Sequence, residues 1–484
     1  MLNRSVSKTD APALFAEAKN CTLRYDYQGA AEILMRVRKL EPTNDKVLVE
    51  LGSAYAKAYD FASAHRYFEE GIRISQTKAE AIIAVGHHWL EVRNFEVAKG
   101  YFDKLLQERQ IPLGAFVRLI ELLIRTRRLD DAMHMTQWAL EIYKNNDVVW
   151  LARGRVHRQL KQYLEAEKLL RTISRKTEND TQVRAGAFYE LGALFDEQGR
   201  YQEAMSCFVE AKTLMSLTAG PTLKILRSKQ KSMRDMCEGV TEAMVQRWRK
   251  TGETDLQPPR KLALLGGHAR SGTTLLEYIV DAHPEVVSAE ETMVYHNVAY
   301  YPIGKGISPN TSFLSAIDWM SPRTLREIRA NYFRGIESYL GEAIGDRLLM
   351  DKNPANTFDI PSLARVFPEM KFLIALRDPR DVCLSCFTQP VPIIPDTASW
   401  LTLEGTINHF THIMGIWLAW RKVLGDAALE VRYEDVVDNL EPTARRTLDF
   451  LDLPWNERVL KFNEHASTKI VKSPTYAEVT KPIF

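Results

Sequence analysis

A spacing of 34 residues governs the first half of the chain. Ala64, Ala98, Ala132 and Ala166 are each 34 apart, and so are Phe61, Phe95, Leu129 and Tyr163. Gly52, Gly86 and Gly154 fall in the same frame, with Ile120 in the remaining slot; Phe68, Phe102 and Leu170 do so with Thr136 between them. One period earlier lie Tyr27 and Ala30. After four extra residues near Glu178-Asn179-Asp180, the pattern resumes at Gly192, Tyr201, Ala204 and Phe208. A unit of this length is a pair of antiparallel helices that cannot bury its apolar face alone, so neighbouring units must stack. Small residues of the Gly52 and Ala64 kind let the helices approach, and aromatics of the Phe61 and Phe68 kind fill the groove between hairpins.

These anchors resemble the tetratricopeptide repeat (TPR), with six repeats over residues 12–216. The resemblance implies an all-α solenoid whose concave face takes a protein or peptide, here an acceptor; bracing of a second domain or a homodimer is the other use of such an array. Residues 217–250 carry helical periodicity and predict a capping helix. Residues 251–260, TGETDLQPPR, read as a polar, Pro-containing linker.

Composition excludes several function classes. Net charge is +2, which offers no electrostatic case for nucleic acid. No apolar run reaches the roughly 18 residues of a membrane span, and MLNRSVSKTDAPALF lacks an apolar signal core. Five cysteines (21, 207, 237, 383 and 386) form no disulfide framework, so a cytoplasmic location is expected. Cys383 and Cys386 form one CxxC without a second pair, which reads as packing rather than zinc binding.

The second half opens on Leu262–Glu277, LALLGGHARSGTTLLE: an apolar strand, a polar turn and a helix start. Such a turn aims backbone N–H groups, hydroxyls and a positive helix end at one tetrahedral anion. The spacing is that of a P-loop, except that Thr273 stands where the Lys would be and the positive charge comes earlier, at Arg270. Further strands are predicted at 348–350, 372–376 and 429–433, with helices between them. The expected fold class is therefore an α/β domain over 261–484 with a parallel sheet flanked by helices, following the TPR solenoid. Arg377-Asp378-Pro379-Arg380-Asp381-Val382-Cys383-Leu384-Ser385 follows a strand. An Arg at a strand end and a hydroxyl two helical turns on can converge on one phosphate.

RSGTT after one strand and RDPRDVxxS after a later one resemble the 5′-phosphosulfate loop and the 3′-phosphate segment of sulfotransferases that use 3′-phosphoadenosine 5′-phosphosulfate (PAPS). The resemblance is to protein-tyrosine sulfotransferases and to bacterial sulfotransferases carrying TPR arrays. It extends through Glu290-Glu291-Thr292, Asp351-Lys352-Asn353-Pro354, Arg432-Tyr433-Glu434-Asp435 and the tail from Ser467 to Pro482. It implies that Arg270, Ser271, Gly272, Thr273 and Thr274 hold the 5′-phosphosulfate and that Arg377 and Ser385 hold the 3′-phosphate. Tyr433 would pack near the nucleotide. Glu291 would be the catalytic base, with Lys352 and Arg270 neutralising charge at the transferring group.

The chain departs from Golgi tyrosine sulfotransferases in having Ser288 and Met350 where they carry cysteines, and Met293 where they carry an Arg thought to meet the substrate. The implied activity is sulfuryl transfer to a hydroxyl, a protein or peptide tyrosine foremost. Such transfer leans on positioning and charge and calls for no metal. A free Glu is a weak base, so burial is expected to raise the pKa of Glu291. His296 is a reserve base, and His268 and His283 read as structural. Two other readings stand beside this one: an NTP-dependent kinase on the same loop, which the absent P-loop Lys disfavours, and a TPR adaptor with a decayed nucleotide site.

Overall fold

A computed structural model describes residues 10–105, 111–125, 127–178, 180–256, 258–305, 307, 311–390 and 392–468. The tail from 469 to 482, part of the resemblance above, lies outside them.

Among the described residues the first half is six antiparallel helix pairs: Ala11–Leu23 with Tyr27–Leu40, Asp45–Lys57 with Phe61–Ile74, Lys78–Glu91 with Phe95–Leu105, Leu113–Arg125 with Leu129–Ile142, Asp147–Gln159 with Tyr163–Arg175, and Thr181–Glu197 with Tyr201–Ser216. The periodic small and large residues meet as pairs. A Cβ on Gly52 would stand 2.5 Å from the Phe68 ring, one on Gly86 2.7 Å from Phe102, and one on Gly192 2.6 Å from Phe208. The glycine of one helix is therefore the slot for the aromatic of the next, and the packing admits no methyl there.

The turn inside each pair carries a second period. Tyr25, Tyr59, Arg93, Arg127 and Lys161 all have positive φ, between 57° and 60°, and Gly199 has φ 73° after the four-residue insertion. One left-handed residue reverses the chain before the next helix starts, on a side-chain cap from Asp26 or Asp60 in the first two pairs.

The first three of these turns dock on the second half of the chain. The Tyr25 ring stacks on Tyr301 at 3.5 Å, and Asp26 pairs with Lys305 at 2.5 Å. The Tyr59 carbonyl accepts from Ser338 Oγ at 2.6 Å. Arg93 reaches Glu291, as described below. The far end of the array docks separately: buried Lys212 donates to the Gln389 carbonyl at 3.1 Å, and Lys229 pairs with Asp396 at 3.0 Å. Two helices, Gly220–Gly239 and Glu242–Asp255, follow the array. The stretch read as a single capping helix is thus broken near Val240, and helix continues five residues into the stretch read as linker. Trp248 explains the extension: its buried indole donates to Asp318 at 2.7 Å and anchors the second helix.

Among the described residues the second half holds a parallel sheet of five strands in the order β2-β3-β1-β4-β5: β1 Leu262–Gly267, β2 Val286–Glu290, β3 Leu348–Lys352, β4 Lys371–Leu376 and β5 Ala428–Arg432. β2 escaped the sequence reading because its five residues, VVSAE, show no longer apolar run. Helices cover both faces, and β1 is buried along its whole length, as a central parallel strand must be. The carboxyl ends of all five strands lie along one edge of the sheet, where such sheets bind ligands. No described helix is long and apolar enough to cross a membrane.

Candidate functional site

The first element of the site is the turn after β1. Gly267, Arg270 and Gly272 have φ of 128°, 72° and 92°. Gly267 is locked to the chain opposite, its N–H donating to Thr357 Oγ1 at 2.8 Å while that hydroxyl donates back to the Gly267 carbonyl at 2.9 Å. A Cβ on Gly272 would lie 2.6 Å from the Tyr433 ring, so only glycine lets the loop pass the end of β5. The helix Thr273–Asp281 then begins with Gly272, which has no side chain to cap it, in the N-cap position. Ser271 Oγ is buried and makes no hydrogen bond among the described residues.

The second element is the segment after β4. Asp378 caps the helix Pro379–Phe387 by accepting from the Arg380 N–H at 2.8 Å. Ser385, two turns along that helix, accepts a hydrogen bond from Arg270 Nε at 2.8 Å. Two motifs 115 residues apart therefore meet in space. Arg377 lies over the Tyr433 ring, 4.4 Å from its centroid, and pairs with Asp381 at 3.2 Å. Its Nε is buried and has no hydrogen-bond partner among the described residues. Burial and neighbouring Arg377 pull the Arg270 guanidinium below its ordinary value.

The third element is a charged knot at the ends of β2 and β3. The register places Glu290 opposite Lys352, and the Glu291 N–H extends the ladder to the Lys352 carbonyl at 2.7 Å. Glu291 itself has φ 35°, a left-handed backbone that a Glu adopts only under constraint. Lys352 Nζ lies 2.7 Å from Glu291 Oε1 and 3.3 Å from Glu277 Oε2. The other Glu291 oxygen, Oε2, accepts from Arg93 Nη1 at 2.8 Å. Glu277 in turn accepts from Ser288 Oγ at 2.5 Å. The Lys352 and Glu277 side chains are 1% and 2% exposed, whereas Glu291 and Arg93 are 26% and 36% exposed. The knot is thus sealed at one end and open to solvent at the other.

This geometry reverses one expectation. Burial does act to raise the Glu291 pKa, but Lys352 and Arg93 outweigh it and hold the carboxyl at about 2. Burial likewise opposes the Lys352 ammonium, yet Glu277 and Glu291 prevail and raise it. Burial pushes the Glu277 carboxyl up.

The proposed site residues Arg270, Ser271, Gly272, Thr273, Thr274, Arg377, Ser385 and Tyr433 lie together around the β1 and β4 ends, with Glu291 and Lys352 at the adjoining β2 and β3 ends. Three histidines are committed elsewhere. His296 pairs with Asp359 at 2.8 Å. His283 accepts from the Glu285 N–H and faces the Pro454 carbonyl at 2.9 Å. His268 is buried against the Ala269 carbonyl, at 2.7 Å, and burial lowers its pKa to about 4. Cys383 and Cys386 are buried, Cys386 in a small cluster with Val382 and Trp400.

Sequence reasoning missed Glu277 and Arg93. Glu277 sits in the first turns of the loop's own helix, but nothing local shows that it faces β3. Arg93 is 198 residues from its partner; its only local mark is its place in the 34-residue frame of the turns. Among the described residues no group of three or more His, Cys, Asp and Glu side chains is placed to hold a metal ion.

The profile of the sulfotransferase family matches residues 263–457, and that of the tetratricopeptide repeat matches residues 185–214. The chain is 29% identical over 211 residues to protein-tyrosine sulfotransferase A of Caenorhabditis elegans, covering 40% of this chain and 51% of the relative. It is 29% identical over 204 residues to the protein-tyrosine sulfotransferase of Drosophila melanogaster, covering 42% of this chain and 40% of the relative. The chain thus spans about half the length of the curated relatives it matches. Among solved structures it is similar to the sulfotransferase domain of the Synechococcus PCC 7002 olefin synthase, at 22% identity and a TM-score of 0.34, covering 47% of this chain and 84% of that one.

Proposed function

We propose that this chain is a PAPS-dependent sulfotransferase acting on a hydroxyl acceptor, a protein or peptide tyrosine foremost, with the helical array as the platform for the acceptor. The carrying observation is the convergence of Arg270 with Ser385 beside the buried, unpartnered Ser271 Oγ and Arg377 Nε. Two anion-binding segments with unused donors suit a ligand that bears two separate phosphates. Bound there, PAPS would supply an activated sulfuryl group.

The chain's own residues divide the work. Ser271, Gly272, Thr273 and Thr274 offer backbone N–H groups and hydroxyls at a positive helix end to the 5′-phosphosulfate. Arg377 offers its Nε to the 3′-phosphate. Ser385 accepts from Arg270 and keeps its own O–H as a donor for the same phosphate. Tyr433 backs the Arg377 guanidinium. Glu291 takes the acceptor's proton, and Lys352 and Arg270 offset the charge that develops on the departing oxygen. The five cysteines are unpaired, which suits the reducing, cytoplasmic compartment we assign to it.

Calorimetric titration with 3′-phosphoadenosine 5′-phosphate (PAP), against ATP and AMP, tests this reading. PAP should bind in preference to both, and Arg377→Ala should weaken PAP by about 1.5–3 kcal/mol, the value of a hydrogen bond to a charged group, while leaving AMP unchanged. ATP turnover with no preference for PAP would overturn the reading in favour of a kinase. A folded protein that binds neither would favour an adaptor.

A further inference from the structure

The array contributes a side chain to the charged knot. Arg93 stands at the turn of the third helix pair, where φ is 59°, and among the described residues it is the cation that pairs with Glu291 Oε2. The two preceding turns, at Tyr25 and Tyr59, fix the array against the same half, so the guanidinium is delivered by docking rather than by a free loop. Lys352, at the other oxygen, is sealed and shared with Glu277. Arg93 is the partner that faces solvent.

Resting on the sulfotransferase reading above, we propose that Arg93 of the helical array is a positioning residue of the catalytic site: a latch that holds the Glu291 carboxylate between two cations until an arriving acceptor draws the guanidinium away. A carboxylate clamped in this way is a poor proton acceptor, and its low pKa agrees. The latch has a purpose in this chemistry. An ungated base next to an activated sulfuryl group would deprotonate water: the sulfur–oxygen bond to the phosphate breaks, a new one forms to water oxygen, the proton goes to Glu291, and the donor is lost as inorganic sulfate. An acceptor that offers its own oxygen to the Arg93 guanidinium releases Oε2 at the moment its hydroxyl arrives. Release costs little on the Arg93 side, because a half-exposed guanidinium can exchange one oxygen partner for another.

Two readouts test the latch on the full-length chain. The first is a melting-temperature cycle over Arg93→Ala, Glu291→Gln and the double variant. If the two side chains clamp one another, the double variant melts no lower than the less stable single one; additive losses would overturn the contact. The second is acceptor-free release of inorganic sulfate from PAPS. Arg93→Ala should raise it on the order of fivefold to tenfold, as expected when a general base gains proton affinity. Arg93→Lys should restore it towards the wild-type rate, and Glu291→Gln should abolish it. A brace between domains would lower or leave that rate, and an equal rate in wild type and Arg93→Ala, none in both included, overturns the latch. PAP titration of the same variants separates the two hypotheses. Failure of the wild type to bind PAP sinks the sulfotransferase reading, while intact PAP binding with an unchanged rate sinks the latch alone.

Discussion

Glu190, inside the array, and Glu291, at the strand ends, are each held between two cations. Glu190, in the middle of the helix Thr181–Glu197, accepts from Arg155 Nε at 2.5 Å and from Arg158 Nε at 2.9 Å. Its side chain is 6% exposed, and Arg158 pairs further with Glu197. Burial pushes Glu190 up, and the two guanidiniums outweigh it and hold it at about 2. Glu291 reaches the same value by the same balance. The electrostatics are alike; what differs is the mounting. Both cations of Glu190 come from one helix, four positions of regular backbone that move as a unit. Those of Glu291 come from a sealed strand end and from a half-exposed turn on a different domain, and Glu291 itself has a constrained backbone. The first arrangement rides on one helix; the second spans two separate elements, as the proposed latch requires. A depressed pKa alone therefore does not tell a structural ion pair from a catalytic one.

The largest test of this contrast is Glu291→Gln. Turnover should fall by about 10²–10⁴-fold with PAP affinity retained, measured by steady-state kinetics and calorimetry. Loss of PAP binding instead would make Glu291 a structural residue like Glu190. Glu190→Gln should do the opposite. It weakens the hold on two partly buried guanidiniums and should cost about 1.5–3 kcal/mol in chemical denaturation, the value of a hydrogen bond to a charged group, with PAP affinity in the folded protein unchanged.

The acid limb sharpens the same comparison. A carboxyl depressed in the folded state adds stability above its unfolded value of 4.5 that is lost as pH falls towards about 2. Wild type should therefore lose stability across that window, and Glu190→Gln should show a shallower slope there, by about one proton. An identical slope would mean that the fold does not depress the Glu190 carboxyl. The smallest expected effect is at Tyr433→Leu, which removes the ring under Arg377 and should weaken PAP by about 0.5–1 kcal/mol without altering turnover at saturation.

Much of this architecture is legible without coordinates. The 34-residue period predicts stacked helix pairs because the requirement it encodes, a glycine facing an aromatic in the neighbouring helix, recurs at a fixed separation. The loop His268–Thr274 and the segment Arg377–Ser385 are legible because each is contiguous: strand, turn and helix start lie within a few residues, and local hydrogen bonds set their shape. β2 was not legible, since five residues buried on both faces carry no alternation. Nor was the extension of the second helix to Asp255, which depends on Trp248 finding Asp318.

The sequence by itself determined that this chain stacks helix pairs and places two turn-and-helix segments, residues 267–274 and 377–385, after parallel strands, because periodicity and turn chemistry are properties of neighbouring residues. It pointed to Glu291 but assigned it the wrong electrostatic environment. Only the tertiary structure decided that, through two groups that no local rule locates: Glu277, folded under Lys352 by the helix after β1, and Arg93, carried in by the docking of a turn from the array. Charge–charge interaction depends on distance in space and on the water between the charges. Both are settled when the two halves of the molecule pack together.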